Sequence, residues 1–165
     1  MDVAAIIIAG LSFLVALASL AFSIVSQTKA SQLAKENTQL AHGMLEIEVR
    51  ATIGDETARV NEVAMRMNPL VAKKNAGAIS PAEQGELDAL QNNWRASVQG
   101  MLNAYDEACT KYLDGKIDKE RFKRNYHFEI RNLLESSGLK QFFDPHTSRY
   151  KAIIKLYDQW ENLEK

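Results

Sequence analysis

The sequence predicts an all-α protein: one N-terminal transmembrane helix, a helical stalk and a small helical domain. Three observations carry that expectation. Val3 to Val25 form a charge-free run of twenty-three residues, and only three prolines and eight glycines punctuate the 165-residue chain. No stretch alternates apolar and polar residues as a half-buried strand does.

The first element follows from length. At about 1.5 Å per residue, Val3–Val25 reaches about 34 Å as a helix, against a hydrocarbon core of roughly 30 Å. A core helix of a soluble domain and a cleaved signal peptide are the competing readings. Charge-free runs above eighteen residues speak against the first. A basic segment ahead of the apolar run is missing for the second, since only Met1 and Asp2 precede it. Lys29, Lys35 and Arg50 follow the run, and basic residues next to a span stay in the cytoplasm. The expectation for a bacterial protein is therefore a single-pass inner-membrane location, with the N-terminus outside, the C-terminal domain cytoplasmic and membrane lipid as a partner. The single Cys109 fits a reducing compartment.

The second element follows from register. Ala5, Ala9, Ser12, Ala16, Ser19 and Ser23 step by four and three along one side of the run. Small side chains on such a seam let helix backbones approach closely. Ser26, Ala30, Leu33, Asn37, Leu40, Met44 and Ile47 continue the steps without a slip. With Asn37 at a, the residues Leu33, Leu40 and Ile47 fall at d, and one polar a residue is a device for fixing register and chain number. This reads as a coiled-coil stalk holding identical chains in parallel; an amphipathic helix packed on its own domain is the other reading. Beyond Ile47 the seam fails, giving Ala51, Gly54 and Ala58, and a new stripe at Val49, Ile53, Val60, Val63 and Met67 marks a change of face near Gly54. The division is thus 1–26 transmembrane helix, 27–54 stalk and 55–165 helical domain.

Within that domain Pro69 is expected to end the first helix, with a loop from Leu70 to Ile79. Ser80-Pro81-Ala82-Glu83 is a capping box with proline in the first turn. The helix it starts carries Leu87, Leu90, Trp94, Val98, Met101, Tyr105, Cys109 and Tyr112 on one face and stops at Asp114-Gly115. Asp118 caps a third helix, about Lys119 to Ser137, with Phe122, Tyr126, Ile130, Leu133 and Leu134 inward. A last helix, about Ser148 to Leu163, buries Tyr150, Ile153, Ile154, Tyr157 and Trp160.

Catalytic templates are missing. Three histidines and one cysteine form no HExxH, no CxxC pair and no glycine-rich phosphate loop. The expectation is no enzyme, no metal and no cofactor. Charge is more informative. From Thr110 to Lys155 there are eleven Lys or Arg against six Asp or Glu, while the remainder holds nine against fifteen. Arg124, His127 and Arg131 share one helical stripe at i, i+3 and i+7, with Lys119 and Lys123 close in sequence and Arg149 and Lys151 at the last helix. Arginine forks and lysine point charges suit phosphates, and interleaved aromatics offer stacking platforms. A solvated face and a contact with anionic headgroups remain alternative readings of the same residues.

The run Tyr112-Leu-Asp-Gly-Lys-Ile-Asp-Lys-Glu-Arg-Phe122 and the later Tyr150-Lys-Ala-Ile-Ile-Lys-Leu-Tyr157 resemble a pattern in uncharacterised bacterial membrane-anchored helical proteins. The layout of span, stalk and small helical domain also resembles a membrane-anchored accessory effector of type III CRISPR antiviral systems. That resemblance implies a homo-oligomer, with a tetramer favoured, whose cytosolic domain binds cyclic tetra-adenylate and whose membrane part impairs the inner membrane. It implies no duplex nucleic acid as partner. The residues expected to hold the ligand come from the charge pattern: Arg124, His127, Arg131, Lys123, Lys119, Arg149 and Lys151. The alternative is a membrane-tethered scaffold or immunity-type protein that binds a protein partner and no small ligand.

Overall fold

The computed structural model describes the backbone of residues 3–162 and the side chains of 22–24 and 26–161. Over those residues the protein is all-helical: α1 (Val3–Asn75), α2 (Pro81–Leu113), α3 (Lys119–Glu135), a 3-10 turn (Lys140–Phe142) and α4 (Lys151–Asn162). Two compact units divide at residue 41, Met1–Ala41 and His42–Lys165. In the first, α1 is exposed at every described side chain, including Phe22, Ile24, Leu33 and Leu40. The Thr28 and Thr38 hydroxyls donate back to the carbonyls of Ile24 and Ala34 at 3.0 and 2.9 Å.

The expected membrane span is corrected. Among the described residues no helix is long and apolar enough to cross a membrane. The expectation rested on the run Val3–Val25, and the side chains of 3–21 and 25 lie outside the described residues, as does the seam from Ala5 to Ser19. From Ser26 onward α1 carries Lys29, Lys35, Glu36, Glu46, Glu48 and Arg50, and charges at that density bar a hydrocarbon-matched segment. The transmembrane helix is thus unsupported, and the single-pass inner-membrane location is corrected with it.

In the second unit, α1 packs by a stripe of Val49, Ile53, Val63 and Leu70, each no more than 9% exposed. Their spacing of four, ten and seven keeps them on one helical face. Val49 and Ile53 join the main core with Val98, Leu102, Ala108, Cys109, Ile130, Ile153, Leu156 and Trp160. Val63 and Leu70 join a smaller cluster with Leu87 and Leu90. That second cluster corrects the expected stop at Pro69: α1 runs through the proline to Asn75. Burying Leu70 against Leu87 is worth about 1.5–3 kcal/mol, comparable to the roughly 3 kcal/mol an interior proline costs. The helix ends instead at Gly77, whose φ of 67° lets the N–H groups of Gly77 and Ala78 reach the carbonyls of Lys74 and Lys73.

Ser80 caps α2 as expected, with the Glu83 carboxylate returning to the Ser80 N–H at 2.9 Å and pairing with Lys73. Gly115, at φ 70°, ends α2 in the manner of Gly77. Two ion pairs tie α1 to the other helices: Glu46 with Arg121 at 2.8 Å and Glu48 with Lys111 at 3.2 Å. Helix α4 begins at Lys151, three residues later than its periodicity suggested. Its first N–H groups are served from outside, since the Asp106 carboxylate of α2 accepts from Ala152 and Ile153 at 3.0 and 3.1 Å. Trp160 closes the core, T-stacked on Tyr112 at 5.6 Å and on His127 at 5.3 Å.

Two outcomes follow from these contacts. Asp106→Ala should lose about 0.5–2 kcal/mol in chemical denaturation, the usual value of an N-cap. Asp106→Asn should retain most of it, because the amide oxygen still accepts. For Glu83, the Lys73 ammonium and the Ser80 groups hold the carboxyl down to about 2 from an ordinary 4.5. A carboxyl depressed in the folded state contributes stability above its unfolded value and loses it as pH falls through the folded one. Between about pH 4.5 and 2 the denaturation midpoint of Glu83→Gln should therefore fall less than that of the parent. Parallel curves would show that Glu83 contributes nothing.

Candidate functional site

The residues expected to form one basic surface are distributed over four places. His127 and Arg131 meet the C-terminal part of α4: Arg131 Nη2 lies 2.7 Å from Glu161 Oε2, and His127 Nε2 lies 3.6 Å from Glu161 Oε1. Arg131 also pairs with Glu135 at 3.2 Å, and Glu135 accepts the Tyr157 hydroxyl at 3.1 Å. Arg131 is partly buried and already paired with carboxylates, and with His127 it ties α3 to α4. Arg149 and Lys151 sit at the other end of α4, ten or more residues from Glu161, or about 15 Å along the helix. Arg149 lies over the Tyr150 ring at 5.2 Å, and Lys151 donates to the Pro145 carbonyl at 2.8 Å. Lys119 and Lys123 cover the rings of Tyr112 and Trp160 at 5.4 and 6.0 Å. Such contacts are worth about 0.5–1 kcal/mol at exposed sites.

Arg124 faces an open groove beside α1, while Lys151 borders a second hollow with Tyr112, Lys155 and Trp160. At the edge of the α3 stripe Arg124 turns from α4 toward α1 and lines a space of roughly 880 Å³, within the usual size of ligand sites. The floor is Ile53, Gly54, Thr57, Ala58 and Asn61 of α1, and the walls are Arg50, Tyr105, Asn125, Tyr126 and Glu129. Arg50 and Arg124 are exposed, and neither forms an ion pair among the described residues. Arg50 stands beside the Tyr126 phenol. Burial raises the pKa of the Tyr126 phenol, and the Arg50 guanidinium works in the opposite direction. Glu129 accepts the Tyr105 hydroxyl at 2.8 Å, and burial followed by that carboxylate pushes the Tyr105 pKa up. The Thr57 hydroxyl is buried and has no hydrogen-bond partner in the structure. Two guanidiniums stand against one carboxylate, so the groove is net cationic, with amides and a hydroxyl able to orient an oxyanion.

The sequence reading placed Arg124 among the binding residues and missed Arg50, Thr57, Asn61 and Asn125. Arg50 stood out only as a charge following the apolar run. Its place beside Arg124 depends on how α1 is rotated against α3, and a one-dimensional pattern does not report that rotation. Cys109 is fully buried, and burial pushes its thiol pKa up, so it is no nucleophile. Among the described residues no cluster of His, Cys, Asp or Glu could hold a metal ion. No known family model, curated protein or solved structure matches the chain.

One substitution tests the division of the basic residues. Glu161→Gln removes the charge that pairs with Arg131 and should cost about 1–2 kcal/mol of stability, with Arg131 partly exposed. Arg124→Gln should leave stability within about 0.5 kcal/mol. Equal losses in urea denaturation would contradict the separation.

Proposed function

We propose that the protein is a homo-oligomeric effector of bacterial antiviral defence whose helical body binds a cyclic oligoadenylate second messenger. The observation that carries the reading is the groove between α1, α2 and α3, where Arg50 and Arg124 stand beside the Tyr126 ring with no ion pair among the described residues. Phosphodiesters are monoanions that accept hydrogen bonds, and arginine forks match them. Aromatic rings and side-chain amides serve the bases. The binding set therefore shifts to Arg124 with Arg50, while His127 and Arg131 tie α3 to α4. The resemblance to the type III CRISPR accessory effectors lends support through the helical body alone.

A second reading has its own observation. Leu33, Leu40, Met44 and Ile47 are 59–72% exposed on α1, at the a and d positions of one register. Such a line serves self-assembly, and it serves equally a scaffold that binds a protein partner and no nucleotide.

Native mass spectrometry of the full chain with and without cyclic tetra-adenylate separates the two. The effector reading expects oligomers that retain the ligand, and Arg50→Ala and Arg124→Ala should each weaken binding about 10- to 100-fold, the value of one charge-assisted contact. Lys74→Ala, exposed and remote from the groove, should leave it unchanged. Oligomers that take up no nucleotide at any concentration would leave the scaffold reading standing.

A further inference from the structure

Four lysines that the arginine groove does not use surround one aromatic face. The Tyr112 and Trp160 rings meet edge to face at 5.6 Å, and the Trp160 Nε1–H donates to the Tyr112 hydroxyl at 3.3 Å. From α3, Lys119 and Lys123 bring their ammonium groups to 5.4 and 6.0 Å from the centres of these two rings. From α4, Lys151 and Lys155 border a hollow of roughly 610 Å³ that Tyr112, Ile154 and Trp160 also line. The carboxylate in that lining is Asp158. None of the four lysines forms an ion pair among the described residues.

We infer that this face docks an acidic, extended peptide segment of a protein partner, with one large apolar side chain between its acids. The site is separate from the arginine groove, and no residue lines both. Charge selects the sign of the occupant, since four ammonium groups stand against one lining carboxylate. A ring face attracts a cation without neutralising it, so Lys119 and Lys123 keep their charge for an anion. Lysine also selects the kind of anion. Its ammonium is a compact point charge without the planar fork of arginine, and it takes carboxylates on mobile side chains in many orientations. The hollow selects the apolar part. A bare inorganic anion would leave Tyr112, Ile154 and Trp160 uncovered, whereas a phenylalanine or leucine side chain covers them. Spacing fits an extended chain. Lys151 stands nine residues before Trp160, about 13.5 Å along α4, and Lys123 lies over the Trp160 ring. Alternate side chains of an extended peptide share one face at about 6.6–6.8 Å spacing. Two acids four residues apart therefore reach Lys123 and Lys151, and the side chain midway meets the hollow.

The probe is a fluorescein-labelled pentapeptide of four glutamates around a central phenylalanine, followed by anisotropy with the full chain. Its control carries glycine at the centre and the same charge. The phenylalanine peptide should bind about fivefold tighter than the glycine peptide, through the apolar area it buries. Lys119→Glu with Lys155→Glu, one from each side of the face, should weaken it about tenfold or more with the helical circular dichroism unchanged. Lys74→Glu with Arg95→Glu changes the net charge equally at exposed positions outside the hollow and should weaken it less than about twofold. Arg124→Gln should leave it unchanged, whatever the groove itself binds. Equal affinity for the two peptides, or equal losses from the two charge-reversed pairs, would reduce the face to diffuse charge and overturn the proposal. Loss of the peptide in Arg124→Gln would move it to the groove and overturn the separate site. Tripolyphosphate that displaces the probe as well as unlabelled phenylalanine peptide would give the face to phosphates instead. No binding of the phenylalanine peptide at millimolar protein would overturn the docking site outright.

Discussion

The packing of Val49 and Ile53 of α1 into the main core is the contact on which the other features depend. These two residues set the rotation of α1 about its own axis, and the ion pairs of Glu46 with Arg121 and Glu48 with Lys111 hold it. Once that face points inward, Met44, Ile47, Gly54 and Ala58 must point outward, because a helix places residues about 100° apart. Arg50 lies between the two faces and is thereby brought beside Tyr126 and Arg124. A rotation of one residue would bury Arg50 and remove the groove. The site is thus a consequence of core packing, with no dedicated loop.

The same economy appears around α4. Short helices are marginal alone, and this one obtains its N-terminal hydrogen bonds from Asp106 and its apolar surface from Ile153, Leu156 and Trp160. His127, Arg131 and Glu161 then lock its C-terminal part to α3. Much of the apparent positive charge of the Thr110–Lys155 segment is used inside the fold. A charge balance counted along the chain overstates what a ligand meets, since it omits carboxylates such as Glu161 and Glu46 that lie outside the segment.

Local chemistry was legible in the sequence where it is decided by near neighbours. Ser80 and Glu83 close their box, Asp118 accepts the Arg121 N–H at 2.9 Å, and Gly115 ends α2. The apolar periodicity of α2 marked Leu87, Leu90, Val98 and Met101 correctly as core. Pro69 misled because the local cost of proline is offset by burying Leu70, a contact with residues seventeen and twenty positions away. Leu156 was overlooked beside Ile153 and Ile154, although it is fully buried. The grouping of the basic residues was illegible for a similar reason. Arg124, His127 and Arg131 share a stripe, yet the stripe straddles two neighbours, α1 on one side and α4 on the other.

The central claim is the proposed self-assembly of the chain along the outward line of α1 that carries Leu33, Leu40, Met44 and Ile47. Spin labels report this directly through the dipolar coupling between single labels on different chains. A label at Met44, on the line, should show strong inter-chain coupling consistent with helix axes about 8–10 Å apart. One at Ala96, on α2 away from the line, should show weak coupling or none. Strong coupling from both positions, or from neither, would contradict the account.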